Sequence, residues 1–186
     1  MKCYYFGTFD PVHIGHIKVA KAVKEKYGFD EVIFVPTPKS PFKDGQSDIS
    51  DRINMLEKVL RKSEISDIEL NIEPPNYTYK TIEKLGNAYF ILGYDQFLNI
   101  ESWKKSEFLK EKLFFIVIPR AGADEKEFNK LREAGYKFEI LKDFELIDVS
   151  SSKIREHARL GKPLAGLVHE KVEEYINEKR LYNWNS

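Results

Sequence analysis

Two imidazoles three positions apart, His13 and His16, lie in the decapeptide Gly7-Thr8-Phe9-Asp10-Pro11-Val12-His13-Ile14-Gly15-His16. The apolar run Cys3-Tyr4-Tyr5-Phe6 precedes it and an amphipathic segment, Ile17 to Tyr27, follows. Read as strand, tight turn and helix start, the pattern puts both rings on one face of the first helical turn. There they flank backbone N–H groups that lack a helical partner. Such a helix end binds phosphate, because the free donors and the helix dipole both favour an anion. Gly15 leaves one side free of a side chain, so a bulky ligand can come close to the backbone. The chemistry indicated is nucleotide binding. Zinc fits poorly: helical zinc pairs favour four-residue spacing and a third ligand, and only His157 and His169 remain, far along the chain.

Gly7–His16 resembles the HxGH signature of the nucleotidyltransferases, and that resemblance implies transfer of a nucleotidyl group. In that reaction a phosphate oxygen attacks the α-phosphorus of ATP and pyrophosphate leaves. Positioning and charge neutralisation supply the acceleration, and no protein nucleophile is required. None stands out: there is no Gly-x-Ser-x-Gly elbow, and Cys3 has no motif around it and reads as core. His13 and His16 would donate to the phosphates, with the Gly7-Thr8-Phe9 backbone adding donors. Asp10 is either a cap for the turn or helix, the favoured reading, or a polar contact in the site.

The decapeptide resembles the HxGH signature of the nucleotidyltransferases, and within that superfamily the bacterial nicotinate-mononucleotide adenylyltransferases. Further segments carry the likeness in order along nearly the whole chain. Val149-Ser150-Ser151-Ser152-Lys153-Ile154-Arg155 is similar to the family's ISxTxIR segment, and Leu92-Gly93-Tyr94-Asp95 with Trp103 to its GxD…W stretch. Asn76-Tyr77-Thr78 and the ending Val172-Glu173-Glu174-Tyr175-Ile176…Leu181-Tyr182 also match.

The resemblance implies an enzyme that joins the AMP moiety of ATP to nicotinate mononucleotide, releasing pyrophosphate. It implies that Ser150, Ser152 and Arg155 bind the ATP phosphates beside Gly7, Thr8, Phe9, His13 and His16. Read alone, the serine run is an N-cap, and an N-cap beside a triphosphate serves both ends. Arg155 would fork onto phosphate oxygens. Asp95 is solvated at the sheet edge or bonded to a ribose, and the family match favours the ribose, with Gly93 allowing close approach. Trp103 would stack on the pyridine ring, with Thr78, Tyr77 and Lys43 completing the mononucleotide side. Mg2+ is implied, bound mainly through the ATP phosphates. Two departures stand out. Phe6 replaces a usual Gly before Gly7-Thr8-Phe9, and Phe42 replaces a usual His before Lys43.

These residues need a scaffold, and the rest of the chain describes one. Strand-like runs alternate with helical segments, the mark of a parallel sheet. Strands are expected at Cys3–Phe6, Glu31–Val35, Asp67–Ile72, Ala88–Leu92 and Phe114–Ile118, with short candidates at Phe138–Leu141 and Leu146–Val149. Helices are expected from Ile14 to Tyr27, from Ser50, over Thr78–Leu85, Trp103–Lys112, Glu125–Ala134, Ser151–Leu160 and Glu170–Glu178. Thr37 to Ser47 reads as a long loop. The expected fold is α/β: one doubly wound, Rossmann-like domain of nucleotidyltransferase type over residues 1–186, with a mostly parallel sheet. Its ligand would sit outside the carboxyl ends of the strands.

Composition narrows the partners. Thirty basic and thirty acidic side chains cancel, so no global field argues for nucleic acid. No apolar run approaches the roughly 20 residues of a membrane span, and the start lacks a signal-peptide succession. A cytoplasmic protein acting on ATP and nicotinate mononucleotide is expected, with a homo-oligomer left open. The alternatives are another HxGH nucleotidyltransferase, of phosphopantetheine adenylyltransferase or cytidylyltransferase type, and a non-catalytic nucleotide-binding regulator on the same fold.

Overall fold

A computed structural model describes residues 1–38, 47–120, 125–142, 144 and 147–182. Five strands, β1 (Lys2–Gly7), β2 (Glu31–Pro36), β3 (Ala88–Gly93), β4 (Leu113–Ile118) and β5 (Phe138–Ile140), form one sheet in the order β2-β1-β3-β4-β5. Every pairing is parallel. The helices are α1 (Ile14–Tyr27), α2 (Ile49–Glu57), α3 (Thr78–Leu85), α4 (Tyr94–Leu98), α5 (Ser106–Lys112), α6 (Asn129–Glu133), α7 (Ser151–Arg159) and α8 (Glu170–Lys179).

Alternation along the strands explains the layering. Cys3, Tyr5, Ile91 and Ile116 face one side, where Val19 and Val23 of α1, Met55 of α2, Ile154 of α7 and Val172 of α8 cover them. Phe90, Leu92, Phe115 and Val117 face the other, against Ile82 of α3, Phe97 of α4, Leu109 of α5 and Leu131 of α6. A sheet covered on both faces needs strands that are apolar on both, which is why these runs read as continuous. Cys3 is fully buried and burial pushes its thiol pKa up, so it packs rather than reacts. Strand order reverses between β1 and β3, and their carboxyl ends open the crevice where such sheets take ligands.

Several expected elements differ. Residues 67–72 are no strand: Ile68–Asn71 is a 3-10 turn, with the Leu70 N–H donating to the Asp67 carbonyl over 2.8 Å. The alternation there misleads because Leu70 points outward, 41% exposed, instead of towards a core. The segment from Trp103 is broken at Lys105, whose φ of 57° is left-handed, so α5 starts only at Ser106. A helix missed in the sequence, α4, follows β3 directly. Residues 125–128 form a 3-10 turn before α6. Leu146 lies outside the described residues, and Val149 turns back to bond the Ile147 carbonyl over 2.7 Å instead of extending as a strand.

Candidate active site

The loop after β1 is built around Phe9. Its left-handed φ of 50° folds the ring inward, 2% exposed, against Tyr5, Phe34 and His16 at 5.5, 5.2 and 5.0 Å. Gly7 makes room for it, since a Cβ there would lie 2.8 Å from the Phe9 ring. The loop rests on Arg52, a fully buried side chain of α2. Its Nη1 donates to the carbonyls of Thr8 at 2.8 Å and Thr37 at 2.7 Å, and its Nε donates to that of Ser47 at 3.3 Å.

Asp10 is neither a cap of α1 nor open to the cleft. It is 1% exposed and accepts from the Tyr182 hydroxyl at 2.6 Å, the Ser47 N–H at 3.2 Å and the Ser47 hydroxyl. Its carboxylate therefore ties the chain's end and the segment before α2 to the loop. Asp10 and Arg52 supply opposite charges to one dry region, where each makes the other's burial tolerable.

His13 stands at the N-cap of α1, and its own N–H donates to Nδ1 of His16 over 3.2 Å. That bond fixes the tautomer: a neutral His16 accepting at Nδ1 carries its proton on Nε2 as a donor. The rings stack with centroids 3.6 Å apart. Burial, reinforced by the neighbouring His13, holds His16 well below its ordinary pKa, and burial lowers His13 to about 4. Both are neutral near pH 7 in the free protein. Gly15 serves packing: a Cβ there would meet the His13 ring and Val149 at 3.0 Å. One helix-end donor expected to be open, the Ile14 N–H, is bonded to the Leu167 carbonyl at 3.1 Å.

The distant serine-arginine segment arrives at the same loop. Ser150 caps α7, accepting from the Lys153 N–H at 3.2 Å. The Ser151 hydroxyl donates to the Pro11 carbonyl at 3.0 Å. Arg155 donates from Nη1 to the Asp10 carbonyl at 2.8 Å and from Nη2 to the Ser152 hydroxyl at 3.3 Å. The N-termini of α1 and α7 thus meet across the Gly7–His16 loop, although the segment reaches it some ten residues beyond β5.

Beside this loop lies a cleft of about 930 Å³ at the β1/β3 switch point. Gly7 and Thr8 of the loop line it, together with Asn76, Tyr77, Thr78 and Trp103. The Gly93 N–H donates to Oε1 of Gln96 at 3.3 Å at the start of α4. Asp95 is not at the strand's end but in the first turn of α4, where it pairs with Arg120 at 2.7 Å. Lys43, like Phe42, lies outside the described residues.

Sequence reasoning missed Arg52 and Arg120. Nothing in the sequence sets Arg52 apart from the other charges of its segment, and only its burial does. Arg120, just after β4, carried a usable signal: the end of a central strand of a parallel sheet.

The profile of the cytidylyltransferase-like family matches residues 4–157. A protein of Caldicellulosiruptor saccharolyticus, named a probable nicotinate-nucleotide adenylyltransferase, is 37% identical over 98% of this chain and 99% of its own. A Coprothermobacter proteolyticus protein of the same name is 38% identical over 95% of this chain and 92% of its own. The chain belongs to the nicotinate-nucleotide adenylyltransferase family. In fold it is similar to a Plasmodium falciparum nicotinic acid mononucleotide adenylyltransferase complexed with NaAD, with a TM-score of 0.81 at 24% identity over 99% of this chain and 98% of that one. Among the described residues no helix is long and apolar enough to cross a membrane, and no group of three or more His, Cys, Asp or Glu is placed to hold a metal ion.

Proposed function

We propose that this protein transfers the adenylyl group of ATP to nicotinate mononucleotide, giving nicotinate adenine dinucleotide and pyrophosphate. A phosphate oxygen of the mononucleotide forms a bond to the α-phosphorus as the bond from that phosphorus to the bridging oxygen of pyrophosphate breaks. No covalent enzyme intermediate is involved. The observation that carries this reading is the Arg155–Asp10 bond, which draws α7 onto the histidine loop beside a cleft of dinucleotide size.

On this reading ATP enters as its Mg2+ complex, the ion held by phosphates and water. His16 donates from Nε2 to the α-phosphate, and His13 donates beside it. Both act as neutral donors that keep their protons, because burial leaves the rings uncharged and a neutral imidazole N–H is a very weak acid. The Arg155 guanidinium and the first-turn N–H groups of α7, with Ser150 and Ser152, take the β- and γ-phosphates. Gly7, Thr8 and Phe9 line the path between the substrates. Gly93 and Asp95 serve the adenosine ribose, and Asp95 exchanges Arg120 for that partner. The mononucleotide ring lies along Trp103, with Tyr77, Thr78 and Lys43 on its side.

Pyrophosphate release from ATP tests the function, with nicotinate mononucleotide, nicotinamide mononucleotide and phosphopantetheine offered in turn and CTP replacing ATP in a further arm. Turnover restricted to a pyridine mononucleotide with ATP is expected. Turnover only with phosphopantetheine or CTP transfers the chain to a sister activity, and ATP binding without turnover on any acceptor makes it a nucleotide-binding regulator.

A further inference from the structure

Tyr182 is a buried phenol that takes no part in the proposed chemistry and does not line the cleft. It follows α8 in a turn that L side chains enter reluctantly: Arg180 has a φ of 52° and Tyr182 a φ of 66°, both left-handed. The Leu181 N–H closes the turn by donating to the Ile176 carbonyl at 3.0 Å. Such a backbone persists only where the contacts around it over-determine it. The Tyr182 ring supplies them by packing into the core cluster that holds Phe9 and Val12, and its hydroxyl does so by donating to Asp10 Oδ1 at 2.6 Å.

Asp10 is bonded at two ends. Its carboxylate accepts from Tyr182 and Ser47, and its backbone carbonyl accepts from Arg155 Nη1 at 2.8 Å. Both groups belong to one residue, so a change in how the carboxylate is held shifts the carbonyl that Arg155 uses. Burial and the Asp10 charge push the Tyr182 pKa up, so the phenol remains a donor near neutral pH.

The geometry points to Tyr182 as a positioning residue: from outside the cleft, through Asp10, it sets the placement of the Arg155 guanidinium on the triphosphate. This rests on the proposed role of Arg155 and adds how that role is held in place. Helix α8 supplies a matched control. Tyr175 is 7% exposed, as Tyr182 is. Its hydroxyl donates to Asp51 Oδ1 at 2.8 Å and accepts from Asn54 Nδ2 at 2.9 Å, both on α2 rather than on the histidine loop.

Calorimetry with ATP and Mg2+ on the full chain tests it, using Tyr182→Phe, Tyr175→Phe, Arg155→Ala and the double variant of Tyr182→Phe with Arg155→Ala, well below the melting temperature of each. Both phenylalanine variants keep their rings, and both are expected to melt lower than the parent protein. Only Tyr182→Phe should also weaken ATP binding, by about fivefold, within the range of one hydrogen bond. In the Arg155→Ala background the same change should cost less than about twofold, because the group it positions is gone. Unchanged ATP affinity in Tyr182→Phe, an equal loss in Tyr175→Phe, a loss that persists in full without Arg155, or a parent protein that binds no ATP overturns the inference. Pyrophosphate release, measured separately on the parent protein, reports whether the reaction itself was assigned correctly.

Discussion

The guanidinium of Arg155 reaches across 145 positions of sequence to donate to the backbone carbonyl of Asp10 at 2.8 Å. Through that bond the Ser150–Arg155 motif is fixed to the histidine loop. Arg155 Nη2 bonds Ser152, so the planar group is oriented before any ligand arrives. Preorientation of this kind lets charge developing on a phosphate be met without rearrangement.

Arg155→Lys keeps the charge and loses the fork. Turnover of ATP with the mononucleotide should fall by about tenfold or more, because one ammonium cannot keep both Asp10 and a phosphate as partners. Thermal stability should change little. Steady-state kinetics and a melting curve check the two together.

Asp10→Asn should destabilise the fold by about 3 kcal/mol, since buried Arg52 would lose the foremost of the negative charges that face it. The Tyr182 and Ser47 bonds weaken in the same variant. Urea unfolding gives the value. Adding Arg52→Met should cost much less than a second independent loss, as expected for groups that share one network.

Stability should fall on mild acidification, and His13 should be one source. Burial lowers it to about 4 from the ordinary value of 6.5. Between those values the unfolded chain takes up a proton that the folded chain refuses. The stability is therefore intact above about pH 6.5 and lost as pH falls towards 4. His13→Asn should show a shallower fall in Tm between about pH 7 and pH 5 than the parent protein. Parallel curves would remove His13 from the account.

Much of the scaffold was legible because a sheet covered on both faces writes its strands as apolar runs. Ala88–Leu92 and Phe114–Ile118 could hardly be read otherwise. Residues 67–72 misled because alternation shows a strand only when one face is buried, and Leu70 has no core to enter. The histidine loop was legible in residue type but not in detail. Nothing local in Gly15 says that its missing side chain makes room for Val149, which comes from 134 positions further on. Nor could the string show that Asp10 is buried under the loop, because its partners Tyr182 and Ser47 come from elsewhere in the chain. Long-range polar contacts leave no periodic trace.

In the proposed reaction a neutral His16 and the Arg155 guanidinium act together on one triphosphate. A double-mutant cycle on kcat/KM for ATP, using His16→Ala, Arg155→Ala and the pair, measures it. Each single change should lower the value by about 100-fold or more, as removal of a donor to developing charge does. The pair should lose far less than the product of the single losses, because groups that work as a unit are not additive. Losses that simply multiply, as those of distant independent sites do, would contradict the account.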